Sequence, residues 1–360
     1  MVPTLWLASL LAASGVQGTR REPPTSPPDP TKWSTQIQTA RLSPDKKTLL
    51  VSYTQFQLGI FASMWDVSTG ARIADLPGLK TNVVACGFLP DGNAVVLESS
   101  GLATVFQRRE RGVEKVRSFP TEGEARWPQI SGDATTLVAS KILDPPKGST
   151  ELLVWDLQKG ALIKRIPCTI NSRPSLFVSW NGRYALLADG SLRGPQFRLW
   201  DLAAGKMIDQ FDGNDGWTYP VGFAKDNKGL VLGKDAAELC YWDMTKKRTT
   251  KTLSEPLLKN ASPVLEHFPK KNAWGCVVRG VRAADFDRAT FWDLANGKGG
   301  PSTRLATRLD SAHYSFSEAG DWVVICWGSN DNSKTTMEVH IWDMEKKKTA
   351  SRWVDDTRKR

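Results

Sequence analysis

A tryptophan–aspartate pair that returns at near-constant spacing constrains this chain more than any other feature. It occurs in MWDVSTG (64–70), VWDLQKG (154–160), LWDLAAG (199–205), YWDMTKK (241–247), FWDLANG (291–297) and IWDMEKK (341–347). Between the first two, VFQRRERG (105–112) puts Phe106 and Gln107 in the same slot. The seven units follow at intervals of 41 to 50 residues. That is the length of one supersecondary unit, too small to bury its apolar surface without neighbours.

Each unit repeats one internal grammar. The second reads VVACGF, a PDG turn, NAVVLES, LATVFQ and VEKVRSF; the first and fourth follow the same order. Apolar, β-branched runs of this length, separated by Gly, Asp, Asn and Pro, predict antiparallel strands. No window past the N-terminal segment sustains a 3.6-residue period, so an all-β fold is expected. An indole at the end of a third strand can wedge between neighbouring sheets. The acid beside it can accept hydrogen bonds from backbone N–H groups of the turn that follows. Trp65, Asp66, Trp155, Asp156, Trp200, Asp201, Trp242, Asp243, Trp292, Asp293, Trp342 and Asp343 are therefore read as structural repeat positions.

These residues resemble the WD40-repeat family, and the resemblance spans roughly residues 36–355. It implies a seven-bladed β-propeller of four-stranded antiparallel sheets that works as a non-catalytic platform for protein or peptide partners. Two departures matter. The Gly-His dipeptide that often opens such a repeat is absent, and the second unit lacks the Trp-Asp pair. The family's buried His–Ser–Asp–Trp network is then incomplete, and apolar packing is expected in its place. TASRWV (349–354) offers the last blade a fourth strand, while Trp33–Ile37 offers a clasp; the sequence leaves ring closure open.

The ends read differently. Leu5–Ala13 is apolar and its end opens a run of small residues, Ala13, Ser14 and Gly15, the pattern of a signal peptide over residues 1–18. No Lys or Arg precedes that run and Arg20 and Arg21 follow it, so an uncleaved anchor is the alternative. Residues 19–35 hold the proline-dense EPPTSPPDP and predict an extended linker. Residues 356–360 form a basic tail. Export to a periplasmic or extracellular space is expected, with no membrane span after cleavage.

Sites of chemistry are sparse. There is no GxSxG, HxH or HExxH. His267, His313 and His340 fall on strands of the last two units without ligand spacing, and five scattered cysteines form no CxxC. No catalytic residue, cofactor or metal is expected. The alternative is a secreted propeller hydrolase or lyase with its site at the axial channel. No basic helix, aromatic RNA-binding strand or zinc knuckle points to specific nucleic-acid binding.

Strand order assigns the turns to two faces. First-to-second and third-to-fourth turns share one, which gathers Arg108, Arg109, Arg111, Lys246, Lys247, Arg248, Lys270, Lys271, Lys346, Lys347 and Lys348. With a net charge of +10, this face is a candidate for weak contact with an anionic envelope surface. The opposite face carries Phe56, Trp127, Trp217 and Tyr219 as candidate partner anchors. A monomeric scaffold binding an unidentified protein or peptide is the expectation.

Overall fold

The computed structural model describes residues 35–121 and 126–254 with short gaps, five strands between 264 and 304 in backbone only, and residues 313–356 with short gaps. The expected signal peptide, residues 1–34 of the N-terminal region as a whole, and residues 357–360 of the tail lie outside the described residues.

Among the described residues there are strands and no helices, and the strands form seven antiparallel sheets in chain order. Sheet I is β1 (Thr35–Leu42), β2 (Thr48–Gln55), β3 (Gly59–Asp66) and β4 (Arg72–Asp75). Sheet II is β5 (Val83–Phe88), β6 (Ala94–Glu98), β7 (Leu102–Arg109) and β8 (Gly112–Pro120). Sheet III is β9 (Arg126–Ile130), β10 (Thr136–Asp144), β11 (Ser149–Asp156) and β12 (Ala161–Thr169). Sheet IV is β13 (Ser175–Val178), β14 (Tyr184–Ser191), β15 (Gly194–Asp201) and β16 (Lys206–Asp212). Sheet V is β17 (Trp217–Phe223), β18 (Gly229–Lys234), β19 (Glu238–Asp243) and β20 (Arg248–Ser254). Sheet VI is β21 (Val264–Phe268), β22 (Ala273–Val278), β23 (Arg288–Asp293), β24 (Lys298–Gly299) and β25 (Thr303–Arg304). Sheet VII is β26 (His313–Phe316), β27 (Trp322–Asp331), β28 (Lys334–Asp343) and β29 (Lys348–Asp356).

Six sheets have four strands. Sheet VI departs from the expected four: β24 and β25 both pair with β23, sharing the position of a fourth strand. The chain between them contains Pro301, which has no N–H to give a ladder.

Burial follows strand position. All five residues of β6 (AVVLE) are buried, as befits a strand covered on both faces. In the outer β12, by contrast, exposed residues alternate with inward ones. The core is a series of apolar clusters between consecutive sheets. Leu50, Ala62 and Met64 of sheet I meet Phe88, Val96 and Phe106 of sheet II. Val95, Leu97 and Val105 of sheet II meet Leu137, Leu153 and Trp155 of sheet III. Trp200 joins sheets III and IV, and Trp242 joins sheets IV and V. In each case the ring of the Trp-Asp slot lies in the cluster shared with the preceding sheet, and Phe106 fills that place in sheet II.

Three of the repeat indoles make no polar contact through nitrogen. Nε1 of Trp65, Trp200 and Trp342 is buried without a hydrogen-bond partner. Each lost hydrogen bond costs about 1–3 kcal/mol, so the rings are held by area and shape.

A shared irregularity fixes the slot. In sheets I, II, III, IV, V and VII the register between third and fourth strands slips just before the Trp or Phe. Trp155 pairs with Leu162 while Val154 pairs with Lys164, so Ile163 is extra. Val116 and Ile208 are extra in the same way. Such a bulge bends the strand and turns its unpaired residue outward. Val116, Ile163 and Ile208 are accordingly among the few large apolar side chains left exposed.

First strands are neighbours from sheet to sheet: β1 touches β5, and contacts continue through β9, β13, β17, β21 and β26. β26 in turn touches β1. Sheets I and VII share one cluster, in which the rings of Trp65 and Trp353 stack at 6.4 Å. β29 supplies its own sheet's fourth strand, and β1 belongs wholly to sheet I, so no strand is exchanged at this seam. Repeated four-stranded antiparallel sheets in this order fit a propeller-like repeat fold.

Candidate interaction face and central cavity

Among the described residues, the acid of each Trp-Asp pair closes a turn. Oδ1 of Asp66 accepts from the amides of Ser68 and Thr69, and Oδ1 of Asp343 from those of Glu345 and Lys346. Asp156, Asp201 and Asp243 do the same in their own turns. Hydrogen bonds from Ser68 and then from Arg108 hold the Asp66 carboxyl far below the usual carboxylate range. The Lys246 and Lys346 amides lower Asp243 and Asp343 in turn. Side chains of Trp292 and Asp293 lie outside the described residues, although β23 carries both.

A second turn device was not singled out from the sequence. Ser43, Ser131, Ser179 and Ser317 close the first-to-second turns of sheets I, III, IV and VII. Each hydroxyl donates to an acid or amide of its turn, namely Asp45, Asp133, Asn181 or Asp321. Each also accepts the amide that starts the next strand. The signal was present as S-P-D, S-G-D and S-W-N, with a mechanism in Ser and Asx turns.

Two residues of the basic face, Arg108 and Lys247, tie neighbouring sheets together. Arg108 of sheet II reaches back to sheet I, donating to Thr48 Oγ1 at 2.9 Å and Asp66 Oδ2 at 2.8 Å. Lys247 of sheet V pairs with Asp209 of sheet IV at 3.6 Å. Arg117 donates to the Leu157 carbonyl, and Lys164 to that of Ala203, each crossing to the next sheet. Lys46 pairs with Asp321 across the seam. Three more charges are matched locally: Arg109 with Glu114, Lys246 with Asp243, and Lys346 with Asp343. Of the eleven basic residues gathered on this face, Arg108, Arg109, Lys246, Lys247 and Lys346 thus stand within 4 Å of a carboxylate. Lys347 is exposed at a turn position with φ of +51°. Arg111, Lys270 and Lys271 lie outside the described residues.

On the opposite face, Trp127 is half-buried and packs against the cluster between sheets III and IV, with a left-handed φ of +50°. Trp217 and Tyr219 sit on β17, but their side chains, like all of Phe56, lie outside the described residues. Glu98 is almost fully buried there, and its Oε2 accepts from the amides of Lys80 and Thr81. It ties the loop entering sheet II to the end of β6.

A cavity of about 420 Å³ opens between the first strands. Residues of β1, β5, β9 and β26 line it, near the strand ends that carry the first-to-second turns. It therefore opens on the same face as Arg108 and Lys247. Gln38 and Arg41 come from β1, Val84 and Cys86 from β5, Gln129 from β9, and His313 from β26. Of these, only His313 and Cys86, the latter as one of five scattered cysteines, were weighed from sequence. Convergence across more than 270 residues leaves no mark in a linear pattern. Arg41 Nη1 donates to Ser315 Oγ at 3.2 Å. Burial pushes the Cys86 thiol up to about 11, against smaller opposing effects of Arg41 and Thr39. At neutral pH it is a protonated thiol and a poor nucleophile.

His340 is buried on β28, with Nε2 at 3.1 Å from Glu338 Oε1, and burial lowers its pKa. His267 lies on β21, described in backbone only. Among the described residues no three His, Cys, Asp or Glu side chains are placed to hold a metal ion. Cys86, Cys168, Cys240 and Cys326 are free thiols; Cys276 lies outside the residues described in side chain. Among the described residues no helix is long and apolar enough to cross a membrane. No protein-family model matches the chain, and no curated protein matches it.

Proposed function

We propose that the chain is a WD40-like seven-bladed β-propeller, exported, that serves as a non-catalytic scaffold for a protein or peptide partner. One observation carries the reading. Contacts between first strands run through all seven sheets and return from β26 to β1, the neighbour order of a ring. A rigid ring of sheets leaves recognition to its loops, which vary without disturbing the core. Carboxylate pairing of Arg108, Lys246, Lys247 and Lys346 weakens the case for an anionic envelope surface as the main ligand. The high thiol pKa of Cys86 weakens the case for a cysteine hydrolase in the cavity.

The test is partner capture by the full chain in its own cells after brief cross-linking, followed by reconstitution from purified components. A direct complex of fixed stoichiometry is expected, together with silence in a broad hydrolase and lyase screen. Turnover that disappears on substitution of cavity residues would replace this reading with the enzyme. Export is checked by N-terminal sequencing: a start just after Gly15 or Gly18 is expected, and an intact Met1 in the cytoplasm refutes it.

A further inference from the structure

The cavity between the first strands is shaped by irregularities of the strands that line it. In β1, Ile37 pairs with Tyr53 and Thr39 with Ser52, so Gln38 is extra. In β5, Val83 pairs with Glu98 and Ala85 with Leu97, so Val84 is extra. In β9 the register slips just before Gln129. Bulges re-aim side chains. Gln38, Val84 and Gln129 all line the cavity and are exposed, although they belong to first strands packed between neighbouring sheets. Trp180, two residues past β13, is also part of the wall. Its six-membered ring lies against Gly132, where a Cβ would fall 1.8 Å from Cε3. Glycine thus lets the indole settle on the turn, and the half-buried ring adds apolar surface to the cavity.

Charge is not what this wall offers. Arg41 is engaged by the Ser315 hydroxyl and by a further interaction. No aspartate or glutamate stands among the described lining residues. Each glutamine amide has two N–H donors and a carbonyl acceptor, of which Gln38 gives one N–H to Thr54 Oγ1 at 3.4 Å. Such a set matches adjacent hydroxyls, each both donor and acceptor, and an indole face matches the C–H face of a pyranose ring. A flat heterocyclic base would instead need two parallel planes. Here the second aromatic ring of the lining, Phe88, is buried, and the remaining apolar surface includes the branched Val84 and Ile130. A volume of about 420 Å³ falls within the range of small-molecule sites.

We propose that this cavity binds a short neutral saccharide, with a pyranose C–H face on Trp180 and neighbouring hydroxyls on Gln38 and Gln129. The site is independent of any protein docked on the face around it.

Saturation-transfer NMR and calorimetry on the full chain provide the test. The probes are glucose, galactose, mannose, N-acetylglucosamine, maltose, cellobiose and diacetylchitobiose, with adenine as the flat comparison. At least one sugar is expected to bind with a Kd of about 10 mM or tighter, its C–H protons on one ring face receiving the most saturation. Trp180→Ala should weaken that binding at least about tenfold. Because Trp180 also packs on Gly132, the double variant Gln38→Ala, Gln129→Ala serves beside it. Both of its side chains are exposed, so folding is preserved, and the lost hydrogen bonds should weaken binding at least about tenfold. The proposal is overturned if no sugar of the panel binds, if adenine binds as well as the best sugar, or if the double variant binds that sugar as well as the parent.

Discussion

At the scale of single residues, the third-to-fourth turns demand a left-handed residue at one position. Gly70, Gly160 and Gly205 provide it with φ near +66° to +69°. Lys247 and Lys347 hold the same position with φ of +53° and +51°. A side chain there costs about 1–2 kcal/mol in the folded state, and glycine gives back part of that through its freer unfolded chain. Lys347→Gly is therefore expected to stabilise the protein by about 0.5–1 kcal/mol, read as a higher denaturant midpoint at unchanged slope. A lower midpoint would mean that Lys347 makes a contact worth more than its strain. The glycines have a second duty. A Cβ on Gly70 would lie 2.8 Å from Trp353, and one on Gly160 would lie 2.7 Å from Phe119. In both cases an aromatic ring of the neighbouring sheet's outer strand rests directly on the turn.

Elements show how the sheets avoid pairing edge to edge. Outer strands present unpaired backbone groups, a template for aggregation. Here a bulge at one recurring position interrupts six outer strands and turns Val116, Ile163 or Ile208 to solvent. Exposure at these positions is then a consequence of backbone register and not a sign of missing cover. β12 allows a direct comparison, because Ile163 is 56% exposed and Ile166 only 1%. Ile163→Glu should change stability by no more than about 0.5 kcal/mol. Ile166→Glu puts a carboxylate into the cluster between sheets III and IV, and should cost about 4 kcal/mol or more. Thermal melts of the two variants side by side decide the matter; equal losses would show that the bulge is not where the register places it.

Across the whole molecule, the seam between sheets I and VII joins the most distant parts of the chain. It is closed by side chains: Trp353 on Trp65 and Gly70, Lys46 with Asp321, and Ser351 Oγ donating to the Val67 carbonyl at 2.9 Å. The buried rings matter more than the ion pair. Trp353→Ala is expected to cost about 3–5 kcal/mol, whereas Lys46→Ala removes a partly exposed pair worth under about 1 kcal/mol. Hydrogen exchange should show the Trp353→Ala protein losing protection first in β1, β28 and β29. Uniform loss through all sheets would mean that the seam is not a separate unit of stability.

How much of this was legible in the sequence depends on how far apart the interacting residues lie. Strands, turns and the seven-fold repeat were readable, because alternation, turn chemistry and the Trp-Asp pair act over a few neighbouring residues. Phe106 could be placed in the vacant slot of the second unit for the same reason. Even the Ser-Asx turns, though overlooked, were local and visible. Tertiary structure alone decided the rest. A lysine on a turn looks the same in sequence whether it faces solvent or ties two sheets, so the pairing of Arg108 with Asp66 and of Lys247 with Asp209 could not be foreseen. Nor could Arg41 be told from any other strand cation. Only when β1 and β26 come together, with some 270 residues between them, does its guanidinium meet Ser315 at the wall of a cavity. Local patterns fix what each segment becomes; electrostatic pairing and cavity chemistry arise from distances that the folded chain creates.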